Sequence, residues 1–336
     1  MKQCTLGRSG ITVSRLCFGT LTLSPAQAGL SAQEGGELLA YAFDRGITFW
    51  DTAEIYENYA HMRAALRSLS QLPVICTKTY AYDRTMAAAS LEKARRDLDL
   101  DVIDIFLLHE QENCLTMDGH REAFTYLLEQ KEKGRIRAVG LSTHAVEPVW
   151  ALAEASVAGS RPASRPVWLE ADPGVYRYAD VVHPLLNLMG IGLLDGTASE
   201  MVEACQAAHA AGIGIFGMKM LGGGHLLARF EEAAAFALGL DCADAFAVGM
   251  QTRSEIDMNL ALFESRPVDP DLLAVTRSKE RRLSIGDWCT GCALCVDRCA
   301  EKALALVDGK VTVNSGRCIF CGYCATVCRD FVIKVI

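Results

Sequence analysis

Two runs of cysteine, "CTGCALCVDRC" at 289–299 and "CIFCGYCATVC" at 318–328, both read C-x2-C-x2-C-x3-C. Cysteines spaced this tightly, twice over, have to converge on metal or redox centres. The end of the chain therefore cannot fold as the rest does. The other cysteines, Cys4, Cys17, Cys76, Cys114, Cys205 and Cys242, are scattered singly through the first 242 residues. The change in density sets a boundary near the charged stretch "TRSKERRLSIGDW" (276–288). We expect one domain over 1–275, a connector over 276–287 and a cysteine-rich domain over 288–336.

The 336 residues exceed one ordinary domain, and a composition of 51% hydrophobic and 22% charged residues is that of a globular chain. No apolar run reaches the length of a bilayer span, and the start "MKQCTLGRSG" has no signal-peptide core. The expectation is a cytoplasmic protein without a membrane partner. A formal charge of −8 offers no polycationic face to nucleic acid. In that compartment fourteen cysteines argue for metal or redox chemistry rather than disulfides.

Before the boundary, short β-type runs alternate with helical stretches. The runs are "RLCFGT" (15–20), "GITFWD" (46–51), "PVICTK" (73–78), "VIDIFLLH" (102–109), "IRAVGLS" (136–142), "ADVVH" (179–183), "GIGIFGMK" (212–219) and "DAFAVGM" (244–250). Intervening segments such as 32–45 and 199–212 carry helical periodicity. The opening "CTLGRSGITV" predicts a hairpin turning at Ser9-Gly10 ahead of the first barrel strand. Eight such units predict an α/β fold, a (β/α)8 barrel; a doubly wound sheet would not need so many regular repeats.

Asp51, Lys78, His109, Ser142, His183 and Lys219 each stand at the carboxyl end of a different predicted strand. In a (β/α)8 barrel those ends gather into the active site. Any one of them alone would be an ordinary strand cap; six together point to a shared site. Strand alternation puts Cys76 on the same side as Lys78, hence in the barrel interior, as packing.

The segment "GITFWDTAEIY" resembles the D-T-A-x-x-Y signature of aldo-keto reductases, and "VICTK" and "IDIFLLH" resemble their next two signatures. "GRSGITVSRLCFGT", "GLS" (140–142), "GIGIFGMKMLGGG" and "VGMQTRSEIDMNL" follow in the family's order, so the resemblance spans about residues 3–263. It implies NAD(P)H-dependent reduction of a small aldehyde or ketone. Tyr56 would be the proton donor, Lys78 and Asp51 the pair that tunes it, and His109 the group that orients the carbonyl. An unperturbed tyrosine ionises near pH ~10, and a nearby cation eases that ionisation. The resemblance also implies cofactor contacts from Gly19, Thr20, Asp51, Ser142, His183, Met218, Lys219, Leu221, Gly223, Gln251, Glu255 and Asn259. In "LGGGH" (221–225) the glycines would let backbone approach a pyrophosphate.

Several positions depart from the family pattern. Thr143 follows Ser142 where Asn is common, His183 stands where Gln usually holds the carboxamide, and Glu57 follows Tyr56 where Gly is usual. In the family an Arg after the eighth strand clasps the 2′-phosphate of NADPH, with a Lys earlier in that segment. Alignment on Asn259 puts Glu255 and Gly249 at those positions. NADH is therefore expected to bind at least as well as NADPH. The Pro-rich stretch 157–174, with Trp168, is longer than the usual loop, and either covers the pocket, packs on the tail or is a surface insertion.

The doubled cysteine run resembles bacterial two-cluster ferredoxins, in which the fourth Cys of each run ligates the other cluster. The resemblance implies one [4Fe–4S] on Cys289, Cys292, Cys295 and Cys328 and a second on Cys318, Cys321, Cys324 and Cys299, in a small α+β ferredoxin-like domain. "LALVDGKVTV" (304–313) would be a hairpin with an Asp-Gly turn. Ala300 and Arg329 replace the proline that usually follows each fourth Cys. Paired zinc sites are the other use of such cysteines, but they need two well-separated ligand pairs each.

Two functions stay open on the sequence. In one, hydride reduces the carbonyl and the clusters are structural or exchange electrons with a ferredoxin, flavodoxin or other redox partner. In the other, the clusters are the working centres and the barrel only holds the substrate. A hydride carries two electrons and each cluster moves one, and no flavin site is evident to interconvert them.

Overall fold

A computed structural model describes all residues except 26, 157–173, 279–281, 319, 321 and 336. The hairpin β1 (Gln3–Thr5) and β2 (Thr12–Ser14) comes first. The barrel strands follow: β3 (Leu16–Gly19), β4 (Phe49–Asp51), β5 (Val74–Thr79), β6 (Ile103–Leu108), β7 (Ile136–Thr143), β8 (Val181–Pro184), β9 (Gly214–Met218) and β10 (Ala245–Gly249). All eight expected runs are strands. They pair in parallel, and β10 meets β3 to close the barrel.

The packing explains the closure. Inward residues Cys17, Phe49, Cys76, Ile105, Leu107, Ala138, Val181, Phe216 and Ala245 form one buried cluster, so Cys76 is interior packing as its parity predicts. Leu6, Ile11 and Val13 of the hairpin join that cluster and stop the barrel floor. Outward residues such as Leu16, Phe18, Trp50, Ile75 and Phe106 pack beneath the helices. Close strand approach at β7 and β8 requires glycine: a Cβ on Gly140 would lie 1.8 Å from the Val181 oxygen.

The cysteine-rich tail is a small α+β unit. β11 (Leu283–Ile285) pairs antiparallel with β14 (Ile333–Val335), and β12 (Leu304–Val307) with β13 (Lys310–Val313). β12 and β13 are the expected hairpin, turning at Asp308 (φ +48) and Gly309 (φ +75). β11 lies inside the segment expected as a connector, because its partner strand is the last in the chain and the sheet closes on it. The 157–173 stretch, with Trp168, lies outside the described residues. No described helix is long and apolar enough to cross a membrane.

The tail docks on the barrel mouth. Ala325 and Phe331 share a buried apolar cluster with Ile191, Leu226 and Ala233 of the barrel. His225 Nε2 and the Ile333 carbonyl are 3.2 Å apart. The interface explains the glycines of the loop after β9. Gly222, Gly223 and Gly224 all have positive φ, and a Cβ on Gly224 would sit 2.5 Å from the Val335 oxygen.

Candidate active site and cysteine centres

Asp51 ends β4, Lys78 stands near the end of β5, and His109 directly follows β6. Parallel alternation turns them into one space at the barrel mouth. Lys78 Nζ is 2.7 Å from Asp51 Oδ1, donates to Oδ2 at 2.8 Å, and donates to the Thr52 carbonyl at 2.8 Å. Tyr56 closes a short 3-10 turn, Glu54–Tyr56. A chain of bonds anchors that turn. Thr52 Oγ1 donates to Asn58 Oδ1 at 2.6 Å, Asn58 Nδ2 donates to Thr20 Oγ1 at 2.9 Å, and Thr20 Oγ1 donates to the Asp51 carbonyl at 2.9 Å.

Lys78 Nζ lies 5.2 Å from the Tyr56 ring centroid, and the Tyr56 and His109 rings meet edge to face at 5.8 Å. Burial pushes the Tyr56 hydroxyl up to about 12, with Lys78 pulling the other way. Burial also opposes charge on Lys78, but Asp51 and Tyr56 outweigh it and hold its pKa above the usual value. His109 is brought down to about 3, by burial first and then by Lys78, so it is neutral. Its Nδ1 is buried without a hydrogen-bond partner among the described residues. The arrangement presents a protonated phenol, a fixed ammonium and a neutral imidazole together.

A cavity of about 270 Å³ opens beside Asp51 and Tyr56. Barrel loops form most of its wall, and Phe331, Lys334 and Val335 of the tail form the rest.

Residues 15–237 match the Aldo/keto reductase family, and residues 283–329 match a 4Fe-4S dicluster domain. The chain belongs to the aldo/keto reductase family. It is 29% identical over 172 residues to "Probable aldo-keto reductase 1" of Glycine max, covering 44% of this chain and 49% of that one. It is also 29% identical over 168 residues to "6-dehydroglucose reductase" of Novosphingobium aromaticivorans, 44% of this chain and 53% of that protein. The chain thus spans about half the length of these curated relatives. The aldo-keto reductase AKR11C1 from Bacillus halodurans shares the fold, with a TM-score of 0.60 at 16% identity over 82% of this chain and 95% of that one.

As an aldo/keto reductase, the chain places most of the expected cofactor residues on the cavity. Gly19, His183, Met218, Lys219, Leu221, Gly223, Gln251, Glu255 and Asn259 all line it, as Asp51 does. Thr20 and Ser142 do not. Thr20 is fully buried in the bonds that anchor the Tyr56 turn. Ser142 Oγ accepts from the Glu110 amide at 2.9 Å and is equally buried. Each hydroxyl thus has a backbone partner away from the cavity.

The departures have structural counterparts. Glu57 has φ +53, a left-handed conformation that glycine adopts freely, which accounts for the family's usual residue. His183 stacks on Phe216 at 3.9 Å, its Nδ1 lies 2.5 Å from the Phe216 carbonyl, and burial brings it down to about 3. Since a carbonyl only accepts, Nδ1 carries the proton and Nε2 is left as an acceptor, 3.8 Å from Asp51.

Tyr80, Glu110 and His144 also belong to the mouth, and no motif in the sequence marks them. Tyr80 stacks on His109 at 4.5 Å and donates its hydroxyl to Glu110. Lys219 Nζ is 2.5 Å from His144 Nε2. Tyr80 lies two residues past Lys78, the one hint available.

In the tail, burial and then the thiols of Cys328, Cys292 and Cys289 push the Cys295 thiol up, so Cys295 lies within electrostatic reach of the other three members of the first expected set. Cys299, Cys318 and Cys324 line one small cavity, which brings the fourth cysteine of the first run to the second set. Cys321 lies outside the described residues. Among the described residues no three Cys, His, Asp or Glu side chains converge as the ligands of a single ion would. The two groupings fit iron–sulfur clusters of the dicluster type.

Proposed function

We propose that this protein reduces a small aldehyde or ketone with NAD(P)H, using Tyr56 as proton donor. The observation that carries the reading is the buried Lys78–Asp51 pair beside Tyr56 and a neutral His109, at the edge of one cavity. Bound nicotinamide would supply the hydride. Tyr56 keeps its proton at neutral pH, and the neighbouring Lys78 charge favours the tyrosinate left once that proton passes to the developing alkoxide. His109, uncharged, directs a hydrogen bond at the substrate oxygen. His183 Nε2 would accept from the carboxamide in place of the family's Gln, and Asn259 Oδ1, buried without a partner among the described residues, would accept a donor from the nucleotide.

The tail would carry two [4Fe–4S] clusters on the crossed sets Cys289, Cys292, Cys295, Cys328 and Cys318, Cys321, Cys324, Cys299, for structure or for exchange with a ferredoxin- or flavodoxin-type partner. One observation favours a second reading, in which the clusters drive one-electron reduction. Phe331, whose amide donates to the Cys328 carbonyl at 3.2 Å, lines the same cavity.

Tyr56→Phe separates them. It should lower carbonyl reduction about 100- to 10,000-fold while nucleotide dissociation constants hold, because only the proton donor is removed. Near-normal turnover in this variant would exclude Tyr56 as the acid and favour the one-electron reading.

A further inference from the structure

The last strand of the tail forms a wall of the cavity, and Lys334 is the cation it brings there. Its stem runs over the glycine loop: a Cβ on Gly223 would find Lys334 Cγ 3.9 Å away. Nζ lies 5.3 Å from the Trp288 ring centroid, and no carboxylate among the described residues is within salt-bridge distance of it. Lys219 lines the same cavity from the barrel side. It has the left-handed φ of +59, and its ammonium lies 4.3 Å from the Phe331 centroid and contacts neutral His144. Glu110, the acid whose charge acts on both lysines, accepts from Tyr80 and faces His144 at 3.7 Å.

Both lysines are half-buried, and burial lowers the proton affinity of each, that of Lys219 to about 7, with the Lys334 charge adding to the effect. Two desolvated ammonium groups bordering one cavity repel each other, and an anion between them relieves both costs. Elsewhere on the rim the barrel offers the carboxylate of Glu255.

We propose that Lys334 of the tail, together with Lys219 of the barrel, holds the diphosphate of the dinucleotide, so that the cysteine-rich domain completes the nucleotide site. The inference rests on the nicotinamide-dependent reading above. Lys334 acts in binding and does not touch the reacting atoms.

The test uses the full, iron-loaded chain and measures dissociation constants for NADH and for ADP-ribose, which keeps the diphosphate but lacks nicotinamide. Lys334→Met retains the apolar stem and removes the charge; Lys334→Arg retains the charge. Iron content and the visible spectrum check that the tail stays loaded. Lys334→Met should weaken both ligands by about tenfold or more, as loss of a charge-assisted hydrogen bond does. Lys334→Arg should stay within a few-fold of wild type, as should Lys302→Gln, which removes an exposed tail lysine away from the cavity. Unchanged affinity in a loaded Lys334→Met protein would overturn the inference and leave the proposed function standing. Weakening of NADH but not of ADP-ribose would overturn the diphosphate assignment. A wild type that binds neither ligand would overturn the proposed function and this inference together.

Discussion

Glu255 stands at the third position of the helix Arg253–Phe263, where its amide donates to the capping Thr252 Oγ1 at 3.2 Å. Its Oε2 accepts from the Gln251 amide at 2.6 Å, so the carboxylate is fixed at the helix N-terminus, where negative charge is favoured. Arg253, the nearby cation that would offset it, has its guanidinium 4.7 Å from the Tyr41 ring centroid. A carboxylate held on the cavity repels a 2′-phosphate and can accept from ribose hydroxyls. NADH should therefore bind at least as well as NADPH, and Glu255→Arg should move the preference toward NADPH. The variant also forfeits the contact to Gln251, at a stability cost of about 1 kcal/mol. The ratio of the two dissociation constants, wild type against variant, checks this. A wild type that clearly prefers NADPH, with no shift on substitution, rules the idea out.

Among the elements, the glycine loop after β9 carries a task its motif did not suggest. The motif predicts a run that admits a pyrophosphate, and Gly223 does line the cavity. Its positive φ values and missing side chains also seat β14 of the tail: a Cβ on Gly223 would lie 3.0 Å from the Phe331 ring. Gly224→Ala meets both penalties, an unfavourable φ of +92 and the Val335 oxygen. It should cost about 1–3 kcal/mol from the backbone alone and more from displacing β14. Gly29 is the comparison, with φ +59 and open space around it. Denaturant unfolding and limited proteolysis should show the tail of Gly224→Ala released more readily than that of Gly29→Ala. Equal behaviour would mean that the tail contact contributes nothing.

At the scale of the whole molecule, two cysteine groupings and one barrel mouth are joined through a short stretch of chain, Cys328 to Val335. Anaerobic preparations should contain about eight iron and eight acid-labile sulfides per chain, from the doubled four-cysteine runs. Cys299→Ala should damage the cluster expected on Cys318, Cys321 and Cys324, because Cys299 lines one cavity with Cys318 and Cys324. Iron analysis with electron paramagnetic resonance decides the matter. Zinc in place of iron, one cluster's worth of iron in a fully loaded sample, or loss confined to the other cluster would each contradict the crossed pattern.

Local chemistry made a good part of this molecule legible in its sequence. The eight strands follow from apolar runs between helical stretches, and the gathering of Asp51, Lys78 and His109 follows from parallel strands whose ends share one rim. The Asp308-Gly309 turn follows from residues that tolerate positive φ. Thr20 and Ser142 lie off the cavity wall, because a hydroxyl at a strand end serves a ligand or the backbone equally well, and only the surrounding bonds choose. Tyr80, Glu110 and His144 are ordinary side chains until three separate loops bring them around His109 and Lys219. The docking of the tail was the least visible of all. Phe331 and Lys334 sit more than 100 residues from the loop they cover, and no periodicity or spacing encodes which face of one domain meets another. That choice belongs to the packed structure, where Phe331 finds an apolar seat beside Ile191 and Leu226, and Lys334 is carried with it into the cavity.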